Sequence, residues 1–236
     1  MIARPSPNHD DRRGQAITML VLHYTGMPTM AAALARLTDP DAKVSSHYLV
    51  DEDGTVYQMV AEDRRAWHAG LSHWRGITNV NAASIGIEIV NPGHEFGYRP
   101  FPPAQMAAVA ALCREILGRH PGIAARNVVG HSDVAPLRKQ DPGELFDWRW
   151  LAQQGVGVSP PVPVVSDLVP LRTGDAGASV SALQQALRDW GYGLTITGVF
   201  DPETAAVVTA FQRHFRQACV DGVADPQTQA VLRALA

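Results

Sequence analysis

The chain is poor in cysteine. Cys113 and Cys219 are the two thiols in 236 residues, too few for a disulfide framework. Two unpaired thiols fit a reducing compartment. Long apolar runs are also missing. "ITMLVL" falls far short of the ~20 residues that a membrane helix needs, and it reads as a strand. The first residues, "MIARPSPNHDDRRGQ", lack the cationic start, apolar stretch and cleavage site of a secretory signal. Neither sign of charge dominates, with 20 Lys and Arg against 23 Asp and Glu. That balance gives no electrostatic case for nucleic acid or an anionic membrane as partner.

What is present divides the chain in two. "GVGVSPPVPVVS" is proline-rich and without charge, and it reads as a semi-rigid linker over 155–167. A unit at 1–154 precedes it and a smaller one at 168–236 follows. In the first, "AITMLVLHY" reads as a buried strand. "SSHYLVDEDGTVYQMV" reads as a hairpin about Asp53-Gly54. "SIGIEIVN" alternates as a strand, and "NVVGH" is a short one. Met106, Val109, Cys113 and Ile116 recur at helical spacing, predicting a helix over 103–119 with Pro103 in its first turn. The expected class is α/β (α+β), a mixed central sheet flanked by helices.

The second unit repeats itself: "GVFDPETAAVVTAFQ" is echoed by "GVADPQTQAVLRAL". Asp201 and Asp225 suit helix caps, each followed by proline at the first helical position. Val207, Phe211 and Phe215 share one face, and Val231 and Leu235 another. Val180, Leu183, Leu187 and Trp190 mark an earlier helix. The prediction is a small all-α domain of three helices.

Chemistry gathers at strand ends. His23 and His131 each end a strand, and "GHSDVAPLRKQDPG" follows His131 with two aspartates. Catalytic zinc sites take three His, Asp or Glu ligands and keep one position open for water. Two histidines and one aspartate supply such a set. Spacing leaves Asp133 and Asp141 both open as the third member.

The motifs "VLHYTG", "SSHYLVDEDGTVYQMV", "AWHAG", "SIGIEIVN" and "GHSDVAPLRKQDPG" occur in this order over residues 17–151. In them the first unit resembles the type-2 zinc-dependent N-acetylmuramoyl-L-alanine amidases, and within these the bacterial enzymes that recycle or remodel cell wall. The resemblance implies zinc held by His23, His131 and Asp141, with Asp133 in a supporting role. It implies Glu88 as the catalytic carboxylate, Lys139 as the catalytic cation, and His47, Trp67, His68 and Asn91 as substrate contacts. "LRTGDAGASVSALQQALRDWGY" and the two repeats resemble the three-helix peptidoglycan-binding domain. There Thr197 stands where that family usually has Asp.

The function implied is hydrolysis of the amide between the lactyl group of N-acetylmuramic acid and L-alanine. The partners are peptidoglycan fragments or the polymer. A cytoplasmic recycling enzyme acting on 1,6-anhydromuropeptides is the expectation. The alternatives are a periplasmic or phage-lytic amidase on intact wall, and a non-catalytic peptidoglycan sensor. All the implied chemistry precedes the linker, so cleavage of small fragments is expected to need residues 1–155 alone.

Overall fold

A computed structural model describes residues 1–161 and 168–235. Two short strands, β1 (Ile2–Ala3) and β2 (His9–Asp11), precede β3 (Met19–Tyr24), the apolar strand expected from the sequence. Helix α1 (Met30–Thr38) follows, capped by the Thr29 side chain. Then come β4 (Tyr48–Val50), β5 (Val56–Gln58), β6 (Arg64–Ala66), the short α2 (Val80–Ala83) and β7 (Ser84–Ile89). After the turn-like α3 (Gly93–Phe96), the predicted helix forms as α4 (Pro103–Arg119). Strand β8 (Val128–Gly130) leads directly into α5 (His131–Val134), and α6 (Trp148–Gln153) closes this part. The three expected C-terminal helices are α7 (Ala178–Trp190), α8 (Pro202–Phe215) and α9 (Pro226–Leu235). Asp201 accepts from the Thr204 N–H and Asp225 from the Thr228 N–H, as the repeat predicts. Among the described residues no helix is long and apolar enough to cross a membrane.

The main sheet is mixed, in the order β1-β5-β4-β7-β3-β8. β4, β7, β3 and β8 run parallel, and the β4–β5 hairpin supplies the antiparallel pair. β2 and β6 form a separate antiparallel ribbon.

Alternation along the strands decides what each face of the sheet does. Leu20 and Leu22 of β3 and Ile85, Ile87 and Ile89 of β7 join one core with Val109, Cys113 and Ile116 of α4. Successive strand residues point to opposite faces, so Met19, Val21 and His23 face the other way. Their register partners are Ser84, Gly86 and Glu88. The "SIGIEI" pattern is thus an apolar face for α4 and a small, polar face for the site.

The second face of the sheet joins the two units. Met19, Val21, Val129 and Val134 share one hydrophobic cluster with Leu183, Leu187, Tyr192 and Phe211. The C-terminal helices complete the core behind the sheet, so they do more than hang from a tether. This contact joins residues far apart in sequence, and neither periodicity nor capping records it. The linker expected at 155–167 lies partly outside the described residues.

Candidate metal centre and active-site cleft

In open α/β sheets, ligands gather beyond the carboxyl ends of the strands. There a cleft of about 350 Å³ opens, within the usual size of small-molecule sites. His23 comes from the end of β3 and Glu88 from the end of β7. His131 begins α5 straight after β8, and Asp141 follows on the next loop. Lys139 lies at the cleft wall.

His23 Nδ1 is 2.9 Å from His131 Nδ1 and 3.0 Å from Asp141 Oδ2. His131 Nδ1 is 3.1 Å from the same oxygen. All three side chains are buried, and their ligand atoms lie within 4.8 Å of one another. Asp133 is not part of this group: its carboxylate turns toward Gly130, Tyr192 and His214.

The tautomers follow from the surrounding partners. His131 Nε2 faces the Ala69 carbonyl at 3.0 Å. A carbonyl only accepts, so Nε2 carries the hydrogen and Nδ1 keeps its lone pair. Ser84 Oγ donates to the Val80 carbonyl at 2.6 Å, and it accepts from His68 Nε2 at 3.1 Å. That leaves His68 Nδ1 to accept from His23 Nε2 at 3.0 Å, so His23 Nδ1 also presents a lone pair. Two imidazole lone pairs and a carboxylate therefore converge on one point, where a cation relieves their repulsion. Metal-ligating histidines are held by such outer partners. The donor set fits a divalent metal of the zinc type.

The electrostatics agree. Burial, with His131 nearby, lowers the pKa of His23 to about 4 and keeps it neutral, the form that ligates. Burial opposes ionisation of Asp141, but the close approach of His131 and His23 outweighs it and holds the group well below the usual carboxylate range. Burial pushes the Glu88 carboxyl well above its ordinary value, and Asp141 adds to this while Lys139 opposes it. Glu88 Oε2 is buried with no hydrogen-bond partner. Glu88 lines the cleft, where a bound molecule can supply the missing partner.

The four expected substrate contacts separate. His68 lines the cleft floor, but both ring nitrogens are engaged, by His23 and Ser84. Its place there needs Gly86: a Cβ would lie 2.6 Å from the His68 ring. His47, Trp67 and Asn91 do not line the cleft. His47 is fully buried, with Nδ1 accepting from the Gly86 N–H and Nε2 facing the Arg64 carbonyl and Arg12. Asn91 is fully buried too, bridging the Arg99 carbonyl and the Gly93 N–H. Trp67 is half-buried, its backbone N–H donating to Ser45 Oγ. Neighbouring in sequence to cleft residues did not bring these side chains into the cleft.

Sequence reasoning missed Ser84, Gly86 and Arg36. A glycine inside an apolar strand is a signal of close approach by another group. Arg36 had no signal, since its place on the cleft wall depends on how α1 packs.

The comparisons agree with this arrangement. The family described as N-acetylmuramoyl-L-alanine amidase matches residues 13–144, and a peptidoglycan binding domain matches 176–232. N-acetylmuramoyl-L-alanine amidase AmiD of Escherichia coli K12 is 40% identical over 231 residues, covering 93% of this chain and 82% of that protein. 1,6-anhydro-N-acetylmuramyl-L-alanine amidase AmpD of Enterobacter cloacae is 38% identical over 162 residues, covering 61% of this chain and 84% of its own. The solved structure of E. coli AmiD with anhydro-N-acetylmuramic acid-L-Ala-D-gamma-Glu-L-Lys superposes with a TM-score of 0.81 at 39% identity, over 98% of this chain and 91% of that one. Pseudomonas aeruginosa AmpDh3 gives 0.77 at 33% identity, over 98% and 94%. The chain belongs to the N-acetylmuramoyl-L-alanine amidase family and carries a C-terminal peptidoglycan-binding domain of the three-helix type.

Proposed function

We propose that this enzyme hydrolyses the amide between the lactyl carbonyl of N-acetylmuramic acid and L-alanine in peptidoglycan fragments, using zinc held by His23, His131 and Asp141. The observation that carries the reading is the convergence of three lone-pair donors within 4.8 Å at the strand ends, beside a buried, unpartnered carboxyl oxygen on Glu88.

Zinc in such a site supplies a Lewis acid and lowers the pKa of water to about 7. The rest is the work of the chain. Glu88, with its raised pKa, takes a proton from the attacking water and returns it to the alanine nitrogen. The new C–O bond forms first and the C–N bond then breaks, leaving a lactyl carboxylic acid and an amine, which ionise to a carboxylate and an ammonium. The Lys139 ammonium at the cleft wall stabilises negative charge on the attacked carbonyl oxygen. His68, donating to Ser84 and accepting from His23, fixes the orientation of the His23 ring.

The division into a catalytic unit at 1–154 and a peptidoglycan-binding unit at 168–236 is part of this reading, supported by family matches that fall inside each. Soluble 1,6-anhydro fragments are the proposed substrate. Support comes from the activity named for the Enterobacter cloacae relative and from the anhydro compound held by E. coli AmiD. A cytoplasmic location is supported by the free thiols of Cys113 and Cys219. The periplasmic reading is supported by the wall-binding match at 176–232. Mass spectrometry of products from a defined anhydromuropeptide and from intact sacculi tests the substrate. Release of the stem peptide from neither ends the proposal. Cell fractionation decides the compartment.

A further inference from the structure

Asp133 lies two residues beyond His131 and is 1% exposed. Its Oδ2 accepts from the Gly130 N–H and from His214 Nδ1, both at 2.7 Å. Its Oδ1 accepts from the Tyr192 hydroxyl at 2.7 Å. A buried carboxylate is costly unless paired. Two of these three partners come from the C-terminal helical unit.

The same unit reaches further along the segment. Arg213 donates to Gln140 Oε1 at 3.2 Å and lies 3.6 Å from Glu144. Gln217 donates to the Phe146 carbonyl at 2.5 Å. The His214 ring stacks on Trp148 with centroids 3.9 Å apart. Two other bonds join Arg75 to residues 190 and 191. The Arg126 guanidinium also lies over the Trp190 ring, 5.1 Å from its centroid. Apart from the Arg75 bonds, every hydrogen bond and ion pair from the helical unit to the first unit falls on 131–146, among the described residues. That segment carries His131, Lys139 and Asp141. A support acting through burial alone would not concentrate most of its hydrogen bonds and ion pairs on one segment.

We infer that the C-terminal unit clamps the 131–146 segment, and that Tyr192 and His214, acting through Asp133, are positioning residues for the metal ligands. The inference rests on the proposed roles of His131, Lys139 and Asp141. It adds an intramolecular task to a unit whose family match concerns peptidoglycan.

The full-length Y192F/H214A variant tests it. Hydrogen exchange across 131–146 should quicken. Zinc affinity and kcat on a defined anhydro-N-acetylmuramoyl tripeptide should each fall roughly 10- to 100-fold, as for other outer partners of metal ligands. KM should stay within about twofold, because the cleft wall at α1 is untouched. H214N should recover much of the loss, since the amide nitrogen of Asn stands near the position of the His Nδ1 donor. L232A serves as the control. It loosens the core of the same helices without touching the clamp, so it should lower Tm while leaving exchange across 131–146 and zinc affinity near wild type. If the double variant does not fold, Y192F alone is read by the same criteria. Unchanged exchange and zinc affinity in the folded variant would overturn the clamp, as would L232A producing the same losses at equal Tm. H131A separates the two ideas. If it loses metal and turnover while Y192F/H214A loses neither, only the clamp fails. If H131A keeps both, the site reading fails.

Discussion

His23 and Glu88 are Cα partners across the parallel strands β3 and β7. Partners in register point to the same face of a sheet, so the ladder places a metal-type ligand and a buried carboxylate side by side. The geometry holds without a loop to set it. Rigid elements hold catalytic groups more tightly than loops do.

The metal set is tested by composition. Purified protein should hold one zinc per chain. His131→Ala and Asp141→Asn should lose both the metal and turnover. Asp133→Asn should keep a stoichiometric metal, because its carboxylate points to Tyr192 and His214. Metal analysis of the three variants checks this, and a zinc-free Asp133→Asn with zinc-loaded Asp141→Asn would reverse the assignment.

Glu88 should matter for rate and not for metal. Glu88→Gln should keep its zinc, while kcat drops by roughly 10²–10⁴, the usual worth of general acid–base catalysis. A zinc-loaded variant with wild-type kcat would remove Glu88 from the mechanism.

His68 is expected to act through His23. His68→Ala leaves His23 Nε2 without its acceptor and should weaken zinc affinity roughly 10- to 100-fold. Gly86→Ala should act in the same direction, since the added Cβ meets the His68 ring. Competition with a fluorescent chelator reads the affinity. Equal affinities for wild type and both variants would contradict the role.

His47 should cost stability and not binding. Its ring is fully buried and bonded to Gly86. His47→Ala should destabilise by about 1–3 kcal/mol through the unsatisfied groups it leaves. KM for a small muropeptide should be unchanged in the folded fraction. A raised KM with unchanged Tm would return His47 to the cleft.

Stability should respond to acid through Glu62. Burial opposes its ionisation, but hydrogen bonds from Arg119, His120 and Tyr48 outweigh this and hold its pKa at about 2. A carboxylate depressed in the folded state stabilises above its unfolded pKa of about 4.3, and that contribution fades as pH falls through the folded value. Wild type should therefore exceed Glu62→Gln in stability at neutral pH. The gap should narrow between about pH 5 and pH 2. Urea titrations across this range measure it, and a gap independent of pH would contradict the linkage.

By itself, the sequence determined the local and periodic features. The Ile alternation of "SIGIEI", the hairpin at Asp53-Gly54, the helix over 103–119 and the Asp-Pro caps at 201 and 225 all appear where short-range chemistry puts them. Its ordered motifs also pointed to the family and to the strand-end residues His23 and His131. The tertiary structure alone decided the rest. It turned Asp141 toward the histidines and Asp133 toward the C-terminal helices, although both follow His131 on one short stretch. It withdrew His47 and Asn91 into the interior. It packed residues of both units into one hydrophobic cluster. The physical reason is range: periodicity, caps and turns depend on neighbours a few residues away. The direction in which a buried polar group turns depends on partners that can lie 59 or 81 residues along the chain.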